Sequence, residues 1–337
     1  MTSAATASVE ASASGEPDSR PRVGFIVGPT GAGKTALAIA VAERIGAEIV
    51  NADSRQVYRR MDLGTAKPTT EELRRVRHHL IDIRDPNDPL DVAAFEPIAR
   101  AAIAEILGRG RAVLVVGGSG LYLRVLRSGI FRGPAADPAL RARLTAIAQR
   151  DGTPSLHARL SVIDSAATTR ISPNDLVRII RALEVFALTG VTISEHQARH
   201  RFASNPYNSL TIGITPPRAL LYATIDRRFD AMIAAGLVDE VRSLIAAGDD
   251  QGRTALSTTG YREIVAYLRG EVELAEAIVN AKRESRRLAK RQLTWFRAQP
   301  EISWIDASAG YNPAITRFAT FFKAHSAKDL YESAKLE

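Results

Sequence analysis

Apolar and polar positions follow two rhythms along this chain. Val23-Gly24-Phe25-Ile26-Val27 is an apolar run bounded by Pro21 and Gly28, and it predicts a buried strand. Thr35–Ile45 then places Leu37, Ala40, Val41 and Ile45 at helical spacing. Glu48-Ile49-Val50 predicts a second strand. Residues 71–79 read as helical and His79–Ile83 as extended. Ala93–Leu107 predicts a helix with stop signals at Gly108 and Gly110. Ala112–Val116 predicts a further buried strand, closed by Gly117 and Gly118. Strands alternating with helices predict an α/β fold, a parallel sheet flanked on both faces by helices.

The rhythm changes after Gly133-Pro134. From Ala139 to His200 the pattern is helical, with eight arginines, five acidic residues and no lysine. Leu210–Ile214 returns to a strand, and helical patterns run over Arg218–Ala247 and Tyr261–Arg297. The expected organisation is an α/β core at 21–134 and 207–305, interrupted by an all-helical insertion at 135–206. Residues 1–20, rich in Ala and Ser, read as a disordered tail, and 306–337 as a weakly specified C-terminal tail.

Composition narrows the possibilities. At 337 residues the chain has ample length for a real core, and 45% hydrophobic with 24% charged residues is ordinary globular composition. No apolar run reaches the roughly 18 residues of a membrane span. The absence of cysteine removes disulfides, thiolate metal sites and cysteine nucleophiles together. The N-terminal stretch lacks the apolar core of a secretory signal, and its acids, Glu10, Glu16 and Asp18, argue against a transit peptide, so the cytoplasm is the expected location; a monomer is the expected state. A net charge of +8 suggests a polyanionic partner.

The chemistry concentrates at strand ends. Gly28-Pro29-Thr30-Gly31-Ala32-Gly33-Lys34-Thr35 fits G-x-x-x-x-G-K-[ST] in full, between a predicted strand and a predicted helix. Small residues let backbone amides converge on phosphate oxygens, the helix N-terminus favours the anion, Lys34 adds a point charge and Thr35 a hydroxyl for Mg²⁺. This P-loop NTPase-like signature predicts two linked phosphates without saying that a nucleotide carries them. Asp53, just past the second strand, shares the crevice at the strands' carboxyl ends with Lys34. Position alone leaves it as a Mg²⁺ ligand, a general base or a structural cap. Gly64-Thr65-Ala66-Lys67-Pro68 reads equally as a plain connection or a binding loop. Gly117-Gly118-Ser119-Gly120 allows close backbone approach of a ligand around one hydroxyl. Asp82 is a second candidate for holding metal, whereas the adjacent His78 and His79 read as structural.

Near the C-terminus, Lys282, Arg283, Arg286, Arg287, Lys290, Arg291 and Arg297 stand against the single acid Glu284. Their i,i+4 spacing makes two adjacent stripes, an electrostatic footprint for phosphates. Arg227-Arg228 adds charge on an earlier helix.

Together these motifs resemble the tRNA dimethylallyltransferase (tRNA isopentenyltransferase) family, from about Val23 to Trp304. The resemblance is carried by Gly28–Thr35, Ala52–Pro68 (ADSRQVYRRMDLGTAKP), His78–Pro86 (HHLIDIRDP), Val116–Leu123 (VGGSGLYL) and Ala289–Arg297 (AKRQLTWFR). Ser172–Val185 and Gly260–Leu268 add to it. It implies transfer of a dimethylallyl group from its diphosphate to N6 of the adenosine immediately 3′ of the anticodon, in tRNAs reading codons that begin with U. It further implies Asp53 as general base, Ser119 as the hydroxyl orienting the adenine, and Lys34, Thr35 with Mg²⁺, and Arg228 on the diphosphate.

The implied tRNA contacts are Asp53, Ser54, Arg55, Gln56 and Ser119; Arg141, Val177, Arg178, Ile179, Ile180 and Arg181; Ser257, Thr258, Thr259, Gly260, Tyr261 and Arg262; and Lys290, Arg291, Gln292, Leu293, Thr294, Trp295, Phe296 and Arg297. Three positions depart from the family pattern. Ser119 stands where threonine is usual, Val177 where glutamine is common and Thr224 where arginine is common. The zinc finger of larger relatives is impossible without cysteine. The rival classes are a small-molecule or nucleotide kinase on the same core, which leaves the basic helix unexplained, and a non-enzymatic RNA-binding protein, which leaves Asp53 opposite Lys34 unexplained.

Overall fold

A computed structural model describes residues 18–131, 133–200, 205–249 and 255–333; most of the expected N-terminal tail lies outside the described residues. The first half alternates strictly: β1 (Arg22–Val27), α1 (Lys34–Ile45), β2 (Ala47–Asn51), α2 (Thr70–Arg75), β3 (His78–His79), α3 (Val92–Gly108), β4 (Ala112–Gly117) and α4 (Gly120–Ser128). Five helices follow: α5 (Pro138–Asp151), α6 (Thr153–Ile163), α7 (Ser165–Thr168), α8 (Leu176–Thr189) and α9 (Ile193–His200). The core resumes with β5 (Asn208–Ile214), α10 (Arg218–Ala234), α11 (Leu237–Ala246), α12 (Tyr261–Leu268), α13 (Leu274–Arg297), β6 (Ser303–Ile305) and α14 (Asn312–Ser333).

The six strands pair in parallel in the order β3-β2-β4-β1-β5-β6. Alternation splits β1 between two cores. Val23, Phe25 and Val27 face a cluster with α3, α4 and α11–α13, and Ile26 faces one with α1, α10 and α14. Because β4 lies between β1 and β2, the loop after β4 emerges between the phosphate loop and Asp53. That order, rather than any single motif, assembles the site.

Four expectations change. The helix expected over 71–79 closes at Arg75, where Val76 turns extended; its start is fixed by a Thr69–Glu72 capping box. The extended run at His79–Ile83 shrinks to the two-residue β3, because Leu80 (φ 65°) and Asp82 (φ 57°) turn the backbone away. The long helical patterns of 218–247 and 261–297 each divide, at Gly236 (φ 100°) and Gly270 (φ 72°), where the chain reverses and periodicity alone gives no warning. Residues 306–333 are not a loose tail. Helix α14 packs on α1, with Ala314 and Phe318 fully buried.

The insertion has its own small core, including Leu156, Leu160, Ile179, Ile180 and Leu183. Glu184 is fully buried there. Burial alone would raise its carboxyl, but bonds from Arg141 (2.7 and 2.8 Å), Arg181 (2.6 Å) and the Asp137 amide (2.9 Å) outweigh it and hold the group at about 2. Glu184→Ala leaves two guanidinium groups without their shared partner. Chemical denaturation is expected to show a loss of about 3 kcal/mol, since breaking a buried pair costs far more than forming it returns. A loss under about 1 kcal/mol in that measurement would make the cluster an ordinary surface ion pair.

Candidate functional site

The phosphate loop joins β1 to α1 with Gly31 and Gly33 at φ 81° and 89°, conformations that side chains resist. Lys34 opens the helix, and its Nζ donates to the Pro29 carbonyl at 2.8 Å, so the ammonium is folded over its own loop. From α10, Arg228 Nη2 donates to Thr30 Oγ1 at 2.6 Å, which brings a second cation to the same loop across 198 residues of sequence. Both cations are partly buried. Burial lowers Lys34 to about 8, with Arg228 acting in the same direction and Asp53 opposing. Burial likewise lowers Arg228, again against the pull of Asp53. The three charges thus lie close enough to act on one another.

Asp53 is held without being consumed. Its amide donates to Asn51 Oδ1 at 3.1 Å, and its Oδ1 accepts from the Arg55 amide at 2.9 Å. Asn51 is pinned in turn by the Leu80 carbonyl at 3.1 Å. No other partner holds the Asp53 carboxylate among the described residues, so its second oxygen is free to face the pocket. Ser119 immediately precedes α4 but does not cap it through its side chain. Its hydroxyl instead accepts from the Ser54 amide at 2.9 Å and donates to Ser54 Oγ at 3.1 Å, tying the loop after β4 to the loop after β2. Gly117 permits this closeness, since a Cβ there would collide with the Ala52 carbonyl.

Thr35 is partly buried in the first turn of α1, and its hydroxyl has no hydrogen-bond partner among the described residues. No cluster of three or more His, Asp or Glu able to hold a metal occurs among them either. A lone hydroxyl in this place is a hard oxygen donor, the kind that would suit Mg²⁺.

The comparisons decide the family. The model of the IPP transferase family matches residues 56–299. The tRNA dimethylallyltransferase 2 of Syntrophus aciditrophicus is 49% identical over 303 residues, covering 90% of this chain and 97% of the relative. The tRNA dimethylallyltransferase of Geobacter metallireducens is 49% identical over 305 residues, covering 90% and 99%. The chain belongs to the IPP transferase family. Among solved structures, the full-length tRNA isopentenylpyrophosphate transferase of Bacillus halodurans is 41% identical, with a TM-score of 0.67 over 94% of this chain and 99% of that one.

Within this IPP transferase the expected site residues fall into three groups. Gly28 to Thr35, Asp53 to Gln56, Ser119 and Arg228 converge at the strand ends. Gln56 itself is turned to the Thr65 and Ala66 carbonyls at 3.3 and 2.9 Å, where it braces the following loop. That loop is also braced from within. Lys67, almost fully buried, is gripped by the Tyr58 carbonyl at 2.6 Å, Asp62 at 2.6 Å and Asp82. Asp82 is therefore engaged by a lysine rather than set to hold metal. His79 pairs with Glu48 at 2.7 Å, and His78 with the Val76 carbonyl at 2.8 Å, so both histidines are structural.

The second group is the insertion. Val177 and Arg178 are exposed, but Ile179 and Ile180 are buried in its core and cannot offer side chains to RNA. Arg141 and Arg181 are engaged by Glu184. The third group is the C-terminal helices. Tyr261 is fully buried, with its hydroxyl on Glu240 at 2.5 Å, and Thr258, Gly260 and Phe296 are buried as well. Ser257, Arg262, Lys290, Arg291, Thr294 and Arg297 face outward, while Thr259, Leu293 and Trp295 are half-buried.

The basic stripe also changes character. Arg286 makes a double contact with Asp226 at 2.6 and 2.7 Å, and Lys282 reaches Asp230 at 2.6 Å. These two cations pin α13 to α10, and Arg287 pairs with Glu284 at 2.6 Å. Lys290, Arg291 and Arg297 keep no ion pair among the described residues, so the open positive charge sits at the end of α13 nearest the pocket. The acids on α10 were legible, but nothing local said that they face α13. One residue escaped the sequence reading. Tyr311, just before α14, donates its hydroxyl to the Gly33 carbonyl at 3.3 Å. Its signal is long-range, with nothing in the local pattern to mark it.

Proposed function

We propose that this protein transfers a dimethylallyl group from dimethylallyl diphosphate to N6 of the adenosine immediately 3′ of the anticodon, in tRNAs that read codons beginning with U. The observation that carries the reading is a half-free carboxylate, Asp53, close enough to act on two loop-bound cations, Lys34 and Arg228, beside a hydroxyl-bearing loop. Transfer to a poor nitrogen nucleophile needs a base of this kind, because the lone pair of the adenine amine is delocalised into the ring.

The N6–C1 bond forms as the C1–O bond to the diphosphate breaks, and the electrons of that bond leave with the diphosphate. Asp53 takes the amine proton. Lys34, Arg228 and the loop amides hold the developing negative charge. Ser119 orients the adenine edge beside Asp53. Thr35 is the residue to hold Mg²⁺, which supplies further charge neutralisation on the diphosphate. The purine leaves its stack to enter, which a loop of RNA makes inexpensive. No helix among the described residues is long and apolar enough to cross a membrane.

The exposed end of α13 is the proposed docking surface for the phosphate backbone of the anticodon stem-loop. Lys290→Ala and Arg291→Ala are each expected to weaken tRNA binding and to lower the slope of log K against log salt by about 1. Lys282→Ala, whose charge is spent on Asp230, leaves that slope unchanged. Equal slopes in all four proteins, wild type included, rule the surface out. The reaction itself is tested by mass analysis of nucleosides after incubating tRNA with the protein and dimethylallyl diphosphate. Adenosine bearing one added isoprene unit supports the reading. ATP turnover without that product overturns it in favour of a kinase.

A further inference from the structure

The turn of α13 that carries Lys290 and Arg291 outward carries Gln292 inward. Gln292 Oε1 accepts from the Thr30 amide at 2.8 Å, and Nε2 donates to the Gly118 carbonyl at 3.0 Å. The orientation of the carboxamide follows from its partners, because a backbone amide only donates and a carbonyl only accepts. Each partner lies one bond network away from a reacting group. Thr30 also receives Arg228 through its hydroxyl, and Gly118 precedes Ser119, which receives the Ser54 amide. A Cβ on Gly118 would come within 2.6 Å of Gln292 Nε2, so the approach requires glycine at that position.

We propose that Gln292 is a positioning residue: its carboxamide fixes the spacing between the diphosphate cradle and the Ser119 loop, and ties that spacing to the seat of α13. The proposal rests on the prenyl-transfer reading above. It replaces the RNA contact that resemblance assigned to Gln292, since both ends of the carboxamide are engaged inside the protein. The role needs an acceptor at one end and a donor at the other. Glutamate keeps the bond from Thr30 but sets a carboxylate against the Gly118 carbonyl. Methionine keeps the length and loses both bonds. Misplacing two reacting groups by a fraction of an ångström acts on the chemical step and on donor binding, not on RNA affinity.

The test is steady-state kinetics of the full-length Gln292→Met and Gln292→Glu variants with donor and tRNA varied separately, alongside tRNA affinity and pyrophosphate binding by calorimetry. In Gln292→Met, kcat/KM for the donor is expected to fall about 10- to 100-fold while tRNA Kd stays within about twofold. Gln292→Glu is expected to fall further. Wild-type kcat and donor KM in Gln292→Met overturn the proposal, and so does a weakened tRNA Kd with unchanged kcat, which would make the residue an RNA contact after all. Should Gln292→Met lose its fold, Gly118→Ala displaces the same carboxamide from the opposite side and carries the same expectation. A wild-type protein that binds pyrophosphate but transfers no prenyl group sinks the underlying reading instead. In that event pyrophosphate affinity still reports on the strut, being weaker in Gln292→Met if the strut exists and unchanged if it does not.

Discussion

Asp53→Asn is expected to abolish most turnover while leaving both substrates bound. The substitution is close to isosteric, and asparagine keeps an oxygen for the Arg55 amide that Asp53 Oδ1 now accepts at 2.9 Å. The turn after β2 therefore survives, and Ser119 keeps its bond to Ser54. What is lost is the free carboxylate oxygen and its charge. If that oxygen takes the proton of the adenine amine, kcat falls by about 10²–10⁴, the usual contribution of a positioned general base. tRNA Kd and pyrophosphate Kd, measured separately by titration, stay within about twofold. Turnover within a factor of three of wild type would reduce Asp53 to a turn-forming residue. A large loss of pyrophosphate affinity with little change in kcat would make it a ligand of the metal instead. The three roles that position alone left open are thus separated by two measurements on one variant.

How much of this was legible in the chain varies with the range of the physics involved. The phosphate loop and the strands beside it were readable, because their signals lie in consecutive residues: an apolar run, small residues, a lysine, a helix pattern. Asp53 and Ser119 were readable as candidates for the same reason, since strand ends in a parallel sheet point to one crevice. What failed was long-range. The segment that forms α14 reads as a tail because its own pattern is weakly amphipathic. Its place depends on Gly24 in β1, where a Cβ would come within 2.8 Å of the Phe318 ring. Ile179, Ile180 and Tyr261 were expected at an RNA surface because the motif that holds them is a surface motif overall. Helical and capping geometry sends one face of such a motif into the core, here the adjacent Ile179 and Ile180, and a resemblance between sequences does not separate the two faces. The stripe on α13 was read as one footprint because charge was counted along one helix, whereas Asp226 and Asp230 neutralise part of it from another. Gln292 shows the same limit, with its two partners 262 and 174 residues away.

The affinity for the donor is expected to fall as pH rises through about 8, and Lys34 is the reason. Burial lowers its ammonium to about 8 in the protein without substrate, Arg228 adds to that, and Asp53 resists it. A diphosphate binds the protonated form, so binding raises the group's affinity for its proton, and by linkage loss of that proton weakens binding. Below about pH 7 the charge is fully present and affinity is flat with respect to this group. Above about 8 the donor must draw in a proton to bind, and KM for the donor rises by at most tenfold per pH unit. At saturating donor the bound diphosphate keeps Lys34 charged, so kcat holds to higher pH than kcat/KM does. Arg228 does not contribute to the window, because a guanidinium stays protonated throughout it even when burial lowers it. Lys34→Met removes the titrating group altogether. Its donor kcat/KM is expected to fall by about 10²–10³, comparable to deleting a donor that stabilises transition-state charge in a partly dry site. It is also expected to lose the rise in donor KM between about pH 7 and 9 that the linkage predicts. A wild-type donor KM that stays flat across that range means that Lys34 does not titrate there, and the donor kcat/KM of Lys34→Met then decides whether it holds the diphosphate. A rise that persists in Lys34→Met assigns the titration to another group, and the grouping of Lys34, Asp53 and Arg228 would then have to be reread as a structural ion cluster.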